Sequence, residues 1–414
     1  MKKLLVLGGF PQMIDIVMTA KRMGIYVLVA DREVSSPAKK FADKALRIST
    51  DNIVELAAVC REEGVNGVFT GFEDFNIHIA RELCDRLNLP FYATREQLAL
   101  VTNKLRFKEE CRRYNVPVIE QYSLLSAAEE GKYPYIVKPS DSYGSRGITV
   151  CRTRSELEQG YKIACKVSTS GTAIIERFID SNHGTELFYT VINGNIHLTA
   201  TADRYTAKSG GTAVPLPVAE VFPSRHQGEM IDLLDKNIRR MLIGLGIRNG
   251  LVLIQALYDG KDYFAYEMAY RFTGEQHYLL VEKQHGVALG EMMISLALGE
   301  DVSKFDTALL DADAFCYPAV NLAILLRPGI IGTIQGVEKI CEGDEVVSYI
   351  LTHAENDEIK PAGNYSHVLM RVNMVAHNYE RLCQAVERVN HEIKVISDIG
   401  VDMLVTRFQL PHDV

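Results

Sequence analysis

The sequence predicts an open parallel α/β segment followed by antiparallel α+β structure, and three observations carry that reading. Over residues 1 to about 93, continuous apolar runs alternate with helical periodicity, the texture of βαβ units. From about residue 100 onward, strands of alternating residues are separated by glycine-rich turns, the texture of antiparallel sheets. The 414 residues, 47% hydrophobic and 24% charged, form an ordinary globular composition with room for two to four domains.

Residues 4–7 are a continuous apolar strand that Gly8-Gly9 turns into a helix, with Met13, Ile16, Val17 and Ala20 on one face and Gly24 closing it. A second strand, 25–30, ends at Asp31; a helix from about 52 to 63 stops at Gly64, and strand 65–70 follows. A helix with Ile79, Leu83 and Leu87 on one face leads to a short strand at 89–92. Thr94-Arg-Glu-Gln97 has capping-box spacing and opens a helical stretch running past Lys104 to Asn115, where Val116-Pro117 breaks it. Strands at 135–138, 172–178, 187–192 and 196–203 come next, then 207–217, whose glycines and prolines read as a mobile loop. A helix at 227–245 and strands 250–258 and 262–268, joined by an Asp259-Gly260 turn, complete the middle third. After a helix around 289–298, strands return from about 315, and a helix near 377–389 closes the chain.

Forty-five Lys plus Arg against 53 Asp plus Glu give a net charge of −8, so nothing draws the whole chain to nucleic acid or an anionic membrane. An anionic ligand must therefore meet a local basic pocket. The eight cysteines are scattered singly, without a C-x-x-C pair or a histidine at metal-ligand spacing, which fits a reduced, cytoplasmic protein. The first apolar run is shorter than a secretory core of ~7–15 residues. No stretch reaches the ~18–20 apolar residues of a membrane span.

Gly8-Gly9 lacks the later glycine of a dinucleotide fingerprint and reads as a tight βα turn. Asp31 and Glu73 stand at strand ends, where open α/β sheets bind ligands and where helices are also capped. The strongest local signal is Lys138-Pro139 on an apolar strand, followed by Ser142, Gly144, Ser145 and Gly147. A strand lysine beside a loop of glycines, hydroxyls and backbone amides suits a polyphosphate, although the same residues also make ordinary hairpins. Gln255 and Glu267 lie on adjoining strands and could converge on one hard cation.

Taken in order, Asn103-Lys104-Leu-Arg-Phe-Lys108, Val137-Lys138-Pro139, the glycine loop, Ile175-Glu176-Arg-Phe-Ile179, Gly184-Thr-Glu186, Gln255, Glu267-x-Ala269-x-Arg271 and Leu326-Arg-Pro-Gly-Ile330 give the chain a family likeness. It resembles an ATP-grasp carboxylate–amine ligase over nearly its whole length. The resemblance implies an N-terminal pre-ATP-grasp α/β domain (1–102), a central ATP-grasp domain (103–305) with a mobile lid at about 116–180, and a C-terminal biotin-carboxylase-like α+β domain (306–414).

By that resemblance Lys104, Lys138 and the lid residues Ser142, Gly144, Ser145 and Gly147 contact ATP phosphates. Glu176, Arg177, Phe178 and Ile179 form the adenine hinge, and Glu186 accepts from a ribose hydroxyl or organises a lysine. Gln255 and Glu267 would hold Mg²⁺ (or Mn²⁺), but the family's usual pattern has an acid at 255 and Asn at 269, so Gln255 and Ala269 are departures. Arg271 is implied beside the transferring phosphoryl group. Glu275 either orients a nucleophile or pairs with Arg271. Asp31, Glu73, Arg204, Lys208 and Arg327 are the candidate substrate contacts, with helix capping, packing or a solvated loop as their plainer roles.

The implied activity is phosphorylation of a small-molecule carboxylate to an acyl phosphate, then attack by an amine, with ADP and phosphate released. Biotin-carboxylase-like and phosphoribosylamine–glycine-ligase-like enzymes share the architecture, as would a non-catalytic ATP-binding regulator. No nucleic-acid or membrane partner is expected; the sequence does not give the oligomeric state, although homodimers are common among homomers.

Overall fold

The computed structural model describes residues 1–142, 146–179, 183–207, 215–311, 315–361 and 365–411. Four parallel strands, β1 (Lys3–Leu7), β2 (Tyr26–Ala30), β3 (Lys44–Leu46) and β4 (Gly67–Phe69), form the first sheet in the order β3-β2-β1-β4. The expected strand at 89–92 is absent, and β3 takes the fourth place instead. Asn88 adopts φ 53° at the end of helix Asp74–Leu87, and Leu89 N turns back to Cys84 O, so this segment is a helix cap continued by Pro90, which has no N–H for a ladder.

The helical stretch expected to run unbroken from Thr94 to Asn115 is two helices, Arg95–Val101 and Lys104–Arg113. Asn103 breaks it: its extended backbone (φ −115°, ψ 109°) places Oδ1 3.1 Å from both Leu105 N and Arg106 N, an N-cap that starts the second helix on Lys104.

A small antiparallel sheet follows: β5 (Gln121–Tyr122), β6 (Tyr135–Pro139), β7 (Thr149–Cys151) and β8 (Ala173–Arg177), ordered β5-β8-β6-β7. It has its own core of Ala127, Tyr135, Val137, Cys151, Leu157, Ala164 and Ile175. Helix Arg154–Val167 lies close on its face because position 160 is glycine; a Cβ there would come within 3.1 Å of Cys151 Sγ and Thr149 Cβ.

The third sheet has eight strands. β9 (His183–Ile192), β10 (Asn195–Ala207), β11 (Leu216–Phe222), β12 (Gly250–Tyr258), β13 (Tyr263–Ala269) and β14 (Ala319–Leu325) are joined by two later strands, with β15 (Gly329–Gln335), β16 (Val346–Leu351), β17 (Glu358–Ile359), β18 (Val368–Val375) and β19 (Lys394–Ser397) completing the chain. The order is β13-β12-β9-β10-β11-β14-β18-β16, while β17-β15-β19 form a separate three-stranded sheet. β11 begins inside the segment expected to be a loop, and residues 208–214 of that segment lie outside the described residues. The helix expected at 227–245 is Gln227–Met230 and Lys236–Gly244 with a π-helical turn, Ile231–Asp235, between them. A further helix, His277–His285, was not legible from periodicity.

Two packing features fix the layers against each other. Phe72, after β4, stacks on Phe272, after β13, with ring centres 5.6 Å apart, and Tyr278 closes on Phe272 at 4.2 Å. Gly67 in β4 lies against Ala297 O, which a Cβ would approach to 2.2 Å, so helix Leu289–Ala297 sits directly on the edge of the parallel sheet. Among the described residues, no helix is long and apolar enough to cross a membrane.

Candidate active site

A cavity of about 600 Å³ opens between the small sheet and the face of the large one. Its position follows from register. Gln255 of β12 pairs with Glu186 of β9 on one side and Glu267 of β13 on the other, so three polar side chains form a row on one face. The period-two neighbours Leu253 and Leu257 flank Gln255 on that face and line the same cavity. Ile136, Ile148, Val150, Phe178 and Ile179 cover it from the small sheet and its connections.

Lys104, Lys138 and Arg271 are among the cationic side chains that line this slot. Lys104 Nζ donates to Glu267 Oε1 (3.0 Å) and to Ser142 O (3.1 Å), tying the start of its helix to both sheets. Lys138 Nζ lies 2.8 Å from Glu176 Oε2 and 5.8 Å from the centre of the Tyr266 ring. Glu176 has no solvent exposure, and its other oxygen accepts from Lys108, which is equally buried. Burial, reinforced by the charge of Lys104, pushes Lys138 down to about 7. Burial, then the charge of Lys138, holds Lys108 well below the ordinary lysine range. Two amines thus share one carboxylate, and an arriving polyanion would favour the charged form of Lys138.

Arg271, just past β13, donates from Nε to Asp74 Oδ1 (2.6 Å) and from Nη1 to Phe272 O (2.9 Å). Burial raises the Asp74 carboxyl, but the adjacent guanidinium more than offsets this and holds it below its usual range. Glu275 does not pair with Arg271. Its carboxylate lies 3.4 Å from Arg371 of β18, while its carbonyl accepts from Asn321 (3.0 Å) and Asn373 (3.1 Å). The reason is topological: β14 and β18 bring the two asparagines under residue 275, and Arg371 stands on the same side, donating to Asn321 Oδ1 at 2.7 Å.

Gln255 has both ends of its amide engaged. Nε2 donates to Glu186 Oε1 (2.7 Å), and Oε1 accepts from the Tyr266 hydroxyl (3.2 Å), which also accepts from Arg204 Nη2 (2.8 Å). A metal at Gln255 and Glu267 is therefore only partly accommodated: Glu267 keeps one carboxylate oxygen outside its Lys104 bond, whereas Gln255 offers only an uncharged oxygen that already accepts from Tyr266. Burial, and after it the charge of Glu220, push the Glu186 carboxyl up to about 7.

The other expected residues divide by place. Ser142, Arg177, Phe178, Ile179 and Arg204 line the cavity, and Arg177 also donates to Asp259 (2.9 Å). Gly147 holds a turn at φ +74°, against Pro139. Gly144, Ser145 and Lys208 lie outside the described residues. Three proposed substrate contacts are elsewhere. Asp31 is spent on the turn after β1, accepting from Gly9 N (2.7 Å) and Glu33 N (2.8 Å). Glu73 is bonded to Asn76 in the first turn of its helix, and Arg327 donates to Asp402 O (3.2 Å) in the C-terminal part. None of the three lines the cavity.

Asp74, Lys108, Glu220, Tyr266, His277 and Arg371 line the cavity or brace a residue that does; the sequence offered Asp74 only within the strand-end segment 71–74 and Lys108 only within the motif opened by Asn103, and it pointed to none of the other four. For Lys108 a signal existed: it follows Lys104 by one helical turn, so one helix face carries both amines.

Residues 103–305 match the family described as carbamoyl-phosphate synthase L chain, ATP binding domain. The small subunit of 2-oxoglutarate carboxylase from Hydrogenobacter thermophilus is 29% identical over 204 residues, covering 44% of this chain and 43% of that protein. The chain thus spans about half the length of the curated relatives it matches. In fold, an L-amino acid ligase from Bacillus licheniformis aligns with a TM-score of 0.76 at 20% identity, over 96% of this chain and 99% of that one. Biotin carboxylase from Campylobacter jejuni, solved as a β-γ-ATP complex, gives a TM-score of 0.76 at 18% identity, over 97% and 92%. Over nearly its whole length the chain shares the fold of these solved ligase and carboxylase structures, and residues 103–305 are similar to the ATP binding domain of the carbamoyl-phosphate synthase L chain.

Proposed function

We propose that this chain is an ADP-forming ligase that activates a small-molecule carboxylate as an acyl phosphate and couples it to an amine. One observation carries the reading: Lys104, Lys138, Glu267 and Arg271 line one cavity of about 600 Å³ whose wall also includes the apolar Ile136, Ile148, Val150, Leu253 and Leu257. The nucleotides named with a fold neighbour, and the ATP-binding family matched by residues 103–305, support the same choice of ligand.

In this reading the chain divides at about residues 102 and 305. The base lies between the small sheet and Leu253 and Leu257, against the backbone of Arg177–Ile179, and the polyphosphate lies along Lys104, Lys138 and the loop from Ser142 to Gly147. Mg²⁺ (or Mn²⁺) bound at Glu267, with the Gln255 amide oxygen, would supply neutralising charge to the phosphates. A substrate carboxylate oxygen attacks the γ-phosphorus, and the bond to the β–γ bridging oxygen breaks as ADP leaves. The amine then attacks the acyl carbon, phosphate departs, and the amine proton is lost to solvent or to a cavity carboxylate. Arg271 is suited to the transferring oxygens, since its planar guanidinium is already oriented by Asp74. No covalent enzyme nucleophile is required; positioning and charge neutralisation carry the chemistry.

A second reading, a non-catalytic nucleotide-binding regulator, is favoured by one feature: the expected metal position 255 carries a neutral amide already bonded at both ends. A screen of ADP release over panels of carboxylates and amines separates the two. A ligase shows release that depends on a particular acid; nucleotide binding without acid-dependent release across the panels favours the regulator.

A further inference from the structure

We propose that Glu186, Glu220 and His277 form a binding site for one first-row divalent metal ion, separate from the Gln255–Glu267 position. The three side chains are almost fully buried, and their ligand atoms all lie within 4.8 Å of one another. Zinc-type bonds of about 2.0–2.2 Å place donor atoms up to roughly 4.4 Å apart, so a small side-chain adjustment closes the set around an ion.

The fold builds this cluster from three places. Glu186 sits on β9 opposite Ala202 of β10, and Glu220 sits on β11 opposite Arg204, so the two glutamates flank β10 on one face. The small Ala202 leaves room for them to converge. His277 enters from above at the start of its helix, its ring held edge-on to Phe188 (4.9 Å between centres) and against Phe222 (5.5 Å). Nδ1 of His277 is 3.0 Å from Thr273 Oγ1, which leaves Nε2 on the Glu220 side. A ligating histidine is commonly oriented in this way by a partner on its other nitrogen.

A second observation points to a ligand. Glu186 Oε2 is buried and has no hydrogen-bond partner among the described residues, although Oε1 is held by Gln255. Arg204 Nε pairs with the other oxygen, Oε1, at 3.9 Å, and Oε2 is the one left without a hydrogen bond. An orphaned, buried carboxylate oxygen is costly without a partner, and a cation would provide one. The donor set is two carboxylates and one imidazole, with Arg204 and Arg371 close by, and the imidazole favours Zn²⁺ or Co²⁺ over Mg²⁺.

The test uses the full chain, stripped with a chelator and without nucleotide, so it does not depend on the ligase reading. Co²⁺ is titrated by its visible absorption and Zn²⁺ by competition with a chromogenic chelator. The expected result is one equivalent bound per chain, with affinity reduced at least about tenfold in Glu220→Gln, His277→Gln and Glu186→Gln, and retained in Glu267→Gln. Zn²⁺ should also raise the melting temperature of the native chain and not of the three variants, which reports on binding even where a variant is destabilised. No stoichiometric binding to the native chain, equal binding by all variants, or loss only in Glu267→Gln would each overturn the proposal.

Discussion

Arg271 and Asp74 are bonded at 2.6 Å across the junction between the large antiparallel sheet and the first residue of helix Asp74–Leu87. The pair fixes the guanidinium at the cavity wall from a part of the chain 197 residues away. Glu275, the nearer acid in sequence, is instead engaged with Arg371.

Asp74→Asn keeps the shape and removes the charge. A hydrogen bond to a charged group is worth about 1.5–3 kcal/mol. Urea unfolding should show a loss of up to that size, and turnover should fall more than nucleotide affinity, because Asp74 positions Arg271 rather than touching the base.

Nucleotide binding should take up a proton above neutral pH. With Lys138 at about 7 in the unliganded chain, it is mostly neutral at pH 8; polyphosphate favours its charged form, so binding at pH 8 recharges it. At pH 6 it is already mostly charged, and uptake should vanish. Calorimetry in two buffers of different ionisation enthalpy measures this directly, and Lys138→Met should abolish the pH 8 uptake.

Lys108→Met tests the shared carboxylate. Without Lys108, Glu176 belongs to Lys138 alone, so Lys138 should titrate higher. The proton uptake at pH 8 should shrink while Lys138 remains in place. Unchanged uptake would mean that Lys108 has no hold on Lys138.

Asn103→Ala removes the cap that starts the helix at Lys104, a loss of roughly 1 kcal/mol in stability. Nucleotide affinity should weaken as well, because Lys104 is the first residue of the helix that this cap begins. Thermal melting and ATP titration of the same variant check both halves.

The metal position makes a separate prediction. Gln255→Glu with Ala269→Asn should tighten Mg²⁺ activation of ATP turnover, because two oxygen ligands are added beside Glu267 on the same sheet face. Equal Mg²⁺ dependence in both proteins would place the ligands elsewhere.

What could be read in advance follows from how local each signal is. The β1 and β2 strands, the helix face through Met13, Ile16 and Val17, and the antiparallel Gln255–Glu267 pairing are written in short runs and turns. Asp31 looked like a ligand contact because it ends a strand, but the backbone amides of Gly9 and Glu33 claim its oxygens. The short strand 44–46 is too brief for periodicity to separate it from a turn, so 89–92 was read in its place. Glu220, His277 and Arg371 come together only through sheet order and the loop before helix His277–His285; no spacing along the chain announces such a meeting.

The most direct measurement of the central claim is trapping of the activated acid with hydroxylamine. With the right carboxylate and ATP, the native chain should form hydroxamate in step with ADP. Arg271→Gln, combined with Asp74→Asn so that no carboxylate is left unpaired, should bind ATP while both products fall about 10²–10³-fold, the usual loss when a transition-state donor is removed. ADP formation that needs no carboxylate, yields no hydroxamate and persists in the variant would contradict the ligase mechanism.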